Sequence, residues 1–123
     1  MLSIDEMEEM LDEIAMEFPP EIYKELNGGI ILLPEAKPNA VSNSLYILGE
    51  YHSGGNMGRY ISIYYGSFSI IYGHLDKKSV KEFLIKTLKH EFVHHVESLA
   101  GEKDLEIKDA QFLENYLKSI GKR

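Results

Sequence analysis

The stretch "SVKEFLIKTLKHEFVHHVESLAG", residues 79–101, decides the fold because it predicts one long amphipathic helix. Ser79 and Glu82 form the S-x-x-E pattern of a capping box, so the helix is expected to begin there. Gly101 is a natural residue to end it. The apolar stripe of this helix consists of Leu84, Leu88, Phe92, Val96 and Leu99. A helix with one such stripe packs that face against a core, so the rest of the chain must supply the partner layer.

The polar side of the same helix carries His90, Glu91 and His94 in the pattern H-E-x-x-H. Residues four apart stand one above the other on a helix, with Cβ atoms about 6 Å apart, so two imidazoles can converge on one metal ion. This is the arrangement of zinc peptidases, in which the glutamate is the general base for a zinc-bound water. The spacing therefore predicts a Zn²⁺ site with His90 and His94 as ligands and Glu91 as catalytic base. The alternative is a helix whose histidines are satisfied by neighbouring polar groups.

A catalytic zinc site needs a third protein ligand, and several acidic residues compete for that place. Asp104 follows the glycine that ends the helix, where the chain can turn back toward the metal. Glu97 lies one turn beyond the second histidine and is its rival. Glu102 and Glu106 are weaker candidates. His95 points toward the apolar stripe, so we expect it to be buried rather than to bind the metal.

The rest of the chain predicts two N-terminal helices, a small sheet and a C-terminal helix, which is an α+β fold. A capping box at Ser3 and apolar residues at spacings of three and four predict a first helix that ends near Pro19. A short second helix is predicted through Leu26, and Asp109 is predicted to cap the last one. Strands are predicted over residues 30–33, 45–52 and 59–73.

Composition and charge exclude several classes of protein. The chain has 123 residues, which fits a single domain spanning 1–123. The net charge is −7, and nine of the twenty acidic residues fall within the first 26, so no basic patch for nucleic acid is expected. No apolar run is long enough to cross a membrane. The absence of cysteine and of a secretory signal pattern favours a cytoplasmic protein.

Three stretches together resemble the minimal zincin-like metallopeptidases, a family of short bacterial and archaeal proteins. They are "HEFVHH" (residues 90–95), "GEKDLE" (residues 101–106) and "LGEYHSGGNMGRYISIYYGSF" (residues 48–68). The resemblance implies a small twisted sheet packed on the H-E-x-x-H helix, a zinc cofactor, and hydrolysis of peptide bonds. It also implies that the substrate is an extended peptide or a flexible protein segment.

The chain departs from the family pattern just after the histidines. Family members commonly carry glycine three residues past the second histidine, whereas Glu97 stands at that position here. The family's G-x-x-D arrives later, as Gly101 to Asp104, and one extra helical turn would explain the shift. By that alignment Asp104 is the third ligand, displaced by about 5 Å along the helix axis.

The resemblance also implies an edge strand above the metal, with which a peptide can pair. The stretch "RYISIYYGSF", residues 59–68, is predicted to be that edge, and one of its tyrosine hydroxyls is a candidate to bind the developing oxyanion. The alternative, favoured for any one of these tyrosines, is that it only covers the sheet. The alternative function is a metal-binding but catalytically silent or self-inhibited protein-interaction module. In the self-inhibited version the acidic helix within residues 1–18 covers the cleft.

Overall fold

Four α-helices, one 3₁₀ helix and five strands make up the part of the chain described by this computed structural model, residues 1–41, 45–102 and 106–120. The helices are α1 (Ile4–Glu17), the 3₁₀ helix (Pro20–Tyr23), α2 (Tyr65–Tyr72), α3 (Lys77–Gly101) and α4 (Ile107–Ile120). The strands are β1 (Gly29–Leu33), β2 (Lys37–Pro38), β3 (Tyr46–Ile47), β4 (Gly49–Gly55) and β5 (Gly58–Tyr64). The chain is an α+β protein, as the sequence predicted.

The main sheet has three strands in the order β1–β5–β4. Strand β5 runs parallel to β1 and antiparallel to β4, to which it is joined by a tight hairpin. Strands β2 and β3 form a separate antiparallel pair. The prediction that residues 59–68 form the edge strand is wrong, because β5 is central and β4 lies at the edge.

Helix α2 replaces the end of a predicted strand. Residues 65–72 are rich in aromatic and β-branched residues, which favoured a strand up to Gly73, yet they are helical. A Cβ on Gly66 would come 2.5 Å from the backbone nitrogen of Ala36, so this glycine lets α2 sit directly on the neighbouring loop. The Lys37 backbone N–H also donates to the buried Ser67 side chain at 2.9 Å. Tertiary contacts therefore outweigh strand propensity in this segment.

Helix α3 is the centre of the core, and its predicted apolar stripe is fully confirmed. The five stripe residues are each at most 1% exposed: Leu84, Leu88, Phe92, Val96 and Leu99. The helix starts earlier than predicted, because the N-cap is Asp76, whose carboxylate accepts from the Ser79 backbone N–H at 2.9 Å. The last helix likewise begins at Ile107, so Asp109 lies within its first turn.

Helix α1 belongs to the same core. Its buried side chains are Met7, Met10, Leu11 and Ile14, and they join the hydrophobic cluster that contains the α3 stripe. The predicted capping box at Ser3 and Glu6 is present, while the acidic residues face outward. Within the described ranges, no helix has the length and apolar character needed to traverse a bilayer.

Strand β4 lies very close to α3 at Gly49. A Cβ at this position would come 2.9 Å from Thr87 Cγ2 and 3.1 Å from Ile63 Cδ1. Thr87 cannot easily move aside, because β-branched side chains are stiff in helices and its hydroxyl donates to the Phe83 carbonyl. Glycine at position 49 therefore sets the separation between the edge strand and the helix.

We expect Gly49→Ala to lower the free energy of unfolding by about 1–3 kcal/mol, the usual cost of overpacking. The double variant Gly49→Ala/Thr87→Ser removes the obstructing methyl group and should recover part of that loss. Gly101→Ala is the control, since a Cβ there meets nothing within 4 Å. Urea unfolding measures the free energy of unfolding of all three variants. A double variant no more stable than Gly49→Ala alone would contradict the role assigned to this contact.

Candidate metal centre

His90 and His94 project from the exposed side of α3 and face one another. Their rings are nearly perpendicular, at 89°, and their Nε2 atoms are 3.3 Å apart. Two nitrogens bound to one tetrahedral zinc at about 2.0–2.1 Å stand roughly 3.3–3.4 Å apart. The same distance suits a long hydrogen bond between the rings, so the geometry permits an ion without requiring one.

Glu91 lies beside this pair but is only 6% exposed. The backbone of Tyr51, on the edge strand β4, lies near its carboxylate. Burial raises the pKa of Glu91 to about 7, with the Tyr51 contact acting to lower the pKa and the charge of Glu50 acting to raise it. The Glu91 side chain thus lies between the helix and the strand.

His95 is fully buried, which confirms the expectation that it points toward the core. Its Nε2 lies 2.9 Å from the Lys24 carbonyl and its Nδ1 lies 2.8 Å from the Tyr51 hydroxyl. A carbonyl can only accept, so Nε2 carries the proton and Nδ1 accepts from Tyr51. Burial lowers the pKa of His95, which keeps the ring neutral. The histidine next to the candidate ligands therefore ties β4 to α3.

One groove runs between β4 and α3 and passes over the candidate metal centre. Gly49, His90 and Glu91 line both of its halves, which have volumes of about 500 and 650 Å³. The first, apolar half is otherwise lined by Tyr46, Ile47, Leu48, Tyr72, Phe83, Lys86 and Thr87. The second, polar half is otherwise lined by Glu50, Tyr51, Ser53, His94, Glu97 and Ser98.

Helix α1 does not cover this groove. None of the described residues that line either half comes from residues 1–18. The apolar side of α1 is instead buried in the core, and its acidic side near α3 borders a different hollow, with Lys77, Lys78 and Lys81. The structure therefore does not support the alternative in which this helix covers the cleft.

Four acidic residues are candidates for the third ligand. Asp104 lies outside the described residues. Glu97 places Oε1 3.9 Å from His94 Nδ1, the ring nitrogen that does not face His90, and its side chain is 65% exposed. The Glu102 carboxylate pairs with Arg59. Glu106 is exposed just before α4. Across residues 1–41, 45–102 and 106–120, no three His, Cys, Asp or Glu side chains stand together as a metal-binding group.

Comparison with known proteins supports the fold. No family model matches the chain, and no curated protein matches it. The chain does match a solved structure, that of a conserved hypothetical protein from Thermus thermophilus, with 32% sequence identity and a TM-score of 0.74. The match covers 81% of this chain and 99% of that one. This chain belongs to the family of that protein. Since that relative is described as hypothetical, the likeness supports the architecture and assigns no activity.

The tyrosines that reach the groove are not those the sequence suggested. In the predicted edge strand, Tyr64 donates to Glu50 at 2.6 Å and Tyr65 donates to the Leu2 carbonyl. The groove is lined instead by the tyrosines of β3, β4 and α2, at positions 46, 51 and 72. Tyr51 was within a predicted strand, but its partner His95 is 44 residues away, so no local spacing could have revealed the pair.

We expect Tyr51→Phe to lower the free energy of unfolding by about 1–3 kcal/mol, because it leaves the buried Nδ1 of His95 without its donor. Tyr46→Phe, which removes a hydroxyl from the groove wall, is the control and should change the free energy of unfolding by less. Chemical unfolding of the metal-free proteins provides the comparison. Equal stability of the two variants would show that the Tyr51–His95 bond does not hold β4 to α3.

Proposed function

We propose that this protein is a zinc-dependent peptidase of the minimal zincin-like type, acting on extended peptides or flexible protein segments. The observation that carries the proposal is the 3.3 Å separation of His90 Nε2 and His94 Nε2. Glu91 supports it, because a buried carboxylate lies beside the pair on the side of the edge strand. The alternative is a catalytically silent metal-binding module, which would bind zinc through the same two histidines but would not cleave peptides.

The residues present fit a zinc ion in part. His90 and His94 would supply two ligands through Nε2. When bound, zinc would lower the pKa of a coordinated water toward neutrality and polarise the peptide carbonyl. Glu91 would accept a proton from the attacking water and deliver it to the leaving amine. The Tyr51 backbone lies near that carboxylate, and both residues line the groove.

The edge strand gives the substrate a place to bind. Strand β4 pairs with β5 on one side and borders the groove on the other. An extended peptide can pair with such an edge through main-chain hydrogen bonds, which suits substrates of varied sequence. A peptide bound there would pass directly over His90 and Glu91, since both line the groove.

The chain offers two residues for the third ligand. Glu97 Oε1 lies 3.9 Å from Nδ1 of His94, and a carboxylate that closes to hydrogen-bond distance there would orient the imidazole. Gly101 lies seven residues beyond His94 on α3, about 10 Å along the axis. Three further residues span at most about 10 Å, so Asp104 can return to the histidines only if the chain doubles back along the helix. We propose Asp104 as the ligand because the family resemblance implies it, and Glu97 as the residue that orients His94.

We expect Asp104→Asn to weaken zinc binding by more than about 100-fold, since it removes a ligand. Glu97→Gln should weaken zinc binding by about 10–100-fold, the effect of losing an orienting partner. Competition with a chromophoric chelator measures both affinities. The opposite ranking would make Glu97 the ligand and would contradict the assignment of Asp104.

We expect Glu91→Gln to retain zinc and to lose about 10²–10⁴-fold in turnover, because an amide cannot accept the proton of the attacking water. Glu82→Gln, an exposed position on the same helix, is the control and should cleave like the parent. Cleavage of a quenched peptide library by the zinc-loaded proteins provides the measurement.

Two results would count against this account. A Glu91→Gln variant that cleaves as fast as the parent would remove Glu91 as general base. A parent that holds zinc and cleaves no peptide would favour the catalytically silent module.

A further inference from the structure

We propose that the surface where helices α3 and α4 meet binds a second copy of this chain, with the two copies related by a two-fold axis. The surface is an apolar hollow with basic side chains at one end and acidic side chains at the other. The proposal goes beyond the proposed function and does not depend on it. It is carried by the lining of the hollow and by the order of its charges.

The floor of the α3–α4 hollow is apolar, and its volume is about 300 Å³. Its apolar residues are Val93, Val96 and Leu117, of which the last two are each 1% exposed. Val93 is only half-buried, so it still presents hydrocarbon to solvent. Covering that hydrocarbon with a second protein surface would favour association, because it removes apolar area from water.

Four charged side chains surround the hollow, and they are sorted by sign. Lys89 and Glu97 line it from α3, eight residues or about 12 Å apart along the helix axis. Lys118 and Glu114 line it from α4. The two helices pack together after a short connection, so they run in opposite directions. Glu114 therefore lies toward the same end as Glu97, and Lys118 toward the same end as Lys89.

This order of charges is complementary to itself. A two-fold axis that crosses both helices at right angles places the basic end of one copy against the acidic end of the other. Lys89 would then face Glu97 of the second copy, Lys118 would face Glu114 of the second copy, and each pair would occur twice. An axis parallel to the helices would place like charges together. The charges therefore select the first arrangement.

The charged groups can pair with a second copy because little engages them within one chain. Among the described residues, no ion pair involves Lys89, Glu114 or Lys118. The side chain of Glu97 is 65% exposed, with Oε1 3.9 Å from His94 Nδ1. Exposed ion pairs add little affinity but fix the orientation of two partners. We therefore expect a weak dimer with one defined arrangement.

Analytical ultracentrifugation of the parent tests for this dimer. We expect a shift from monomer to dimer between protein concentrations of about 10 and 500 μM, as for a small and transient interface. Raising the salt concentration from about 0.05 to 0.5 M should weaken the dimer, because salt screens exposed charges. A parent that stays monomeric throughout, or a dimer that salt does not weaken, would overturn the proposal.

Charge reversal on α4 tests which surface the two copies share. Lys118→Glu should raise the Kd of the dimer by at least about tenfold, because it turns two attractive contacts into two repulsive ones. Glu114→Lys should do the same. Lys108→Glu is the matched control, since it changes the net charge equally at an exposed position of α4 that does not line the hollow. Equal dimerisation of Lys118→Glu and the control would rule out this surface.

An equimolar mixture of Lys118→Glu and Glu114→Lys separates contacts between copies from effects within one helix. In the mixed dimer the two altered side chains face each other with opposite charges, and so do the two unaltered ones. We expect the mixture to dimerise about as tightly as the parent, although the contact between positions 114 and 118 within each helix stays repulsive. A mixture that dimerises no more tightly than either variant alone would overturn the two-fold arrangement.

Reversal on α3 provides a second variant if either α4 variant fails to fold by circular dichroism. Lys89→Glu should also raise the Kd of the dimer by at least about tenfold, because it would face Glu97 of the second copy. An unchanged Kd in the folded Lys89→Glu protein would overturn the proposed pairing of the two ends.

Discussion

The structure depends on one contact, the packing of the edge strand β4 against helix α3. Two interactions make it: the Tyr51 hydroxyl bound to the buried His95, and the close approach of Gly49 to Thr87. Each joins a residue of β4 to one of α3. Without this contact the groove would have no second wall, and Glu91 would lose the strand that lies beside it.

One face of helix α3 packs into the core, and another face carries the candidate site. The stripe from Leu84 to Leu99 is buried, while His90 and His94 are exposed on the far side. Glu91 and His95 follow these two histidines in sequence, and both are turned inward. A single helix can thus hold two potential ligands toward solvent and place their neighbours where the strand can bind them. Mutations on either face are therefore expected to have separable effects on stability and on metal binding.

The sequence predicted the elements with strong local signals and missed those set by distant contacts. The apolar stripe of α3, the capping box of α1 and the burial of His95 follow from helical periodicity, and all three are confirmed. The family resemblance implied an edge strand, and residues 59–68 were assigned to it because their aromatic and β-branched residues favour a strand. Nothing in such a run tells a central strand from an edge. Helix α2 was missed for a related reason, since its conformation depends on Gly66 fitting against a loop 30 residues earlier. Helical spacing alone predicted that His90, Glu91 and His94 lie close together. The residues of β3 and α2 that line the groove could be identified only from the folded structure.

Zinc content tests the central claim most directly. Elemental analysis would compare the parent with His90→Ala and His94→Ala, and His74→Ala, an exposed histidine before α3, would serve as control. The account predicts about one zinc per chain in the parent and the control, and loss of zinc in the other two variants. A parent that holds no zinc even after the metal is added back, or a His94→Ala variant that holds as much as the parent, would contradict it. The 3.3 Å contact would then be a hydrogen bond between two surface histidines.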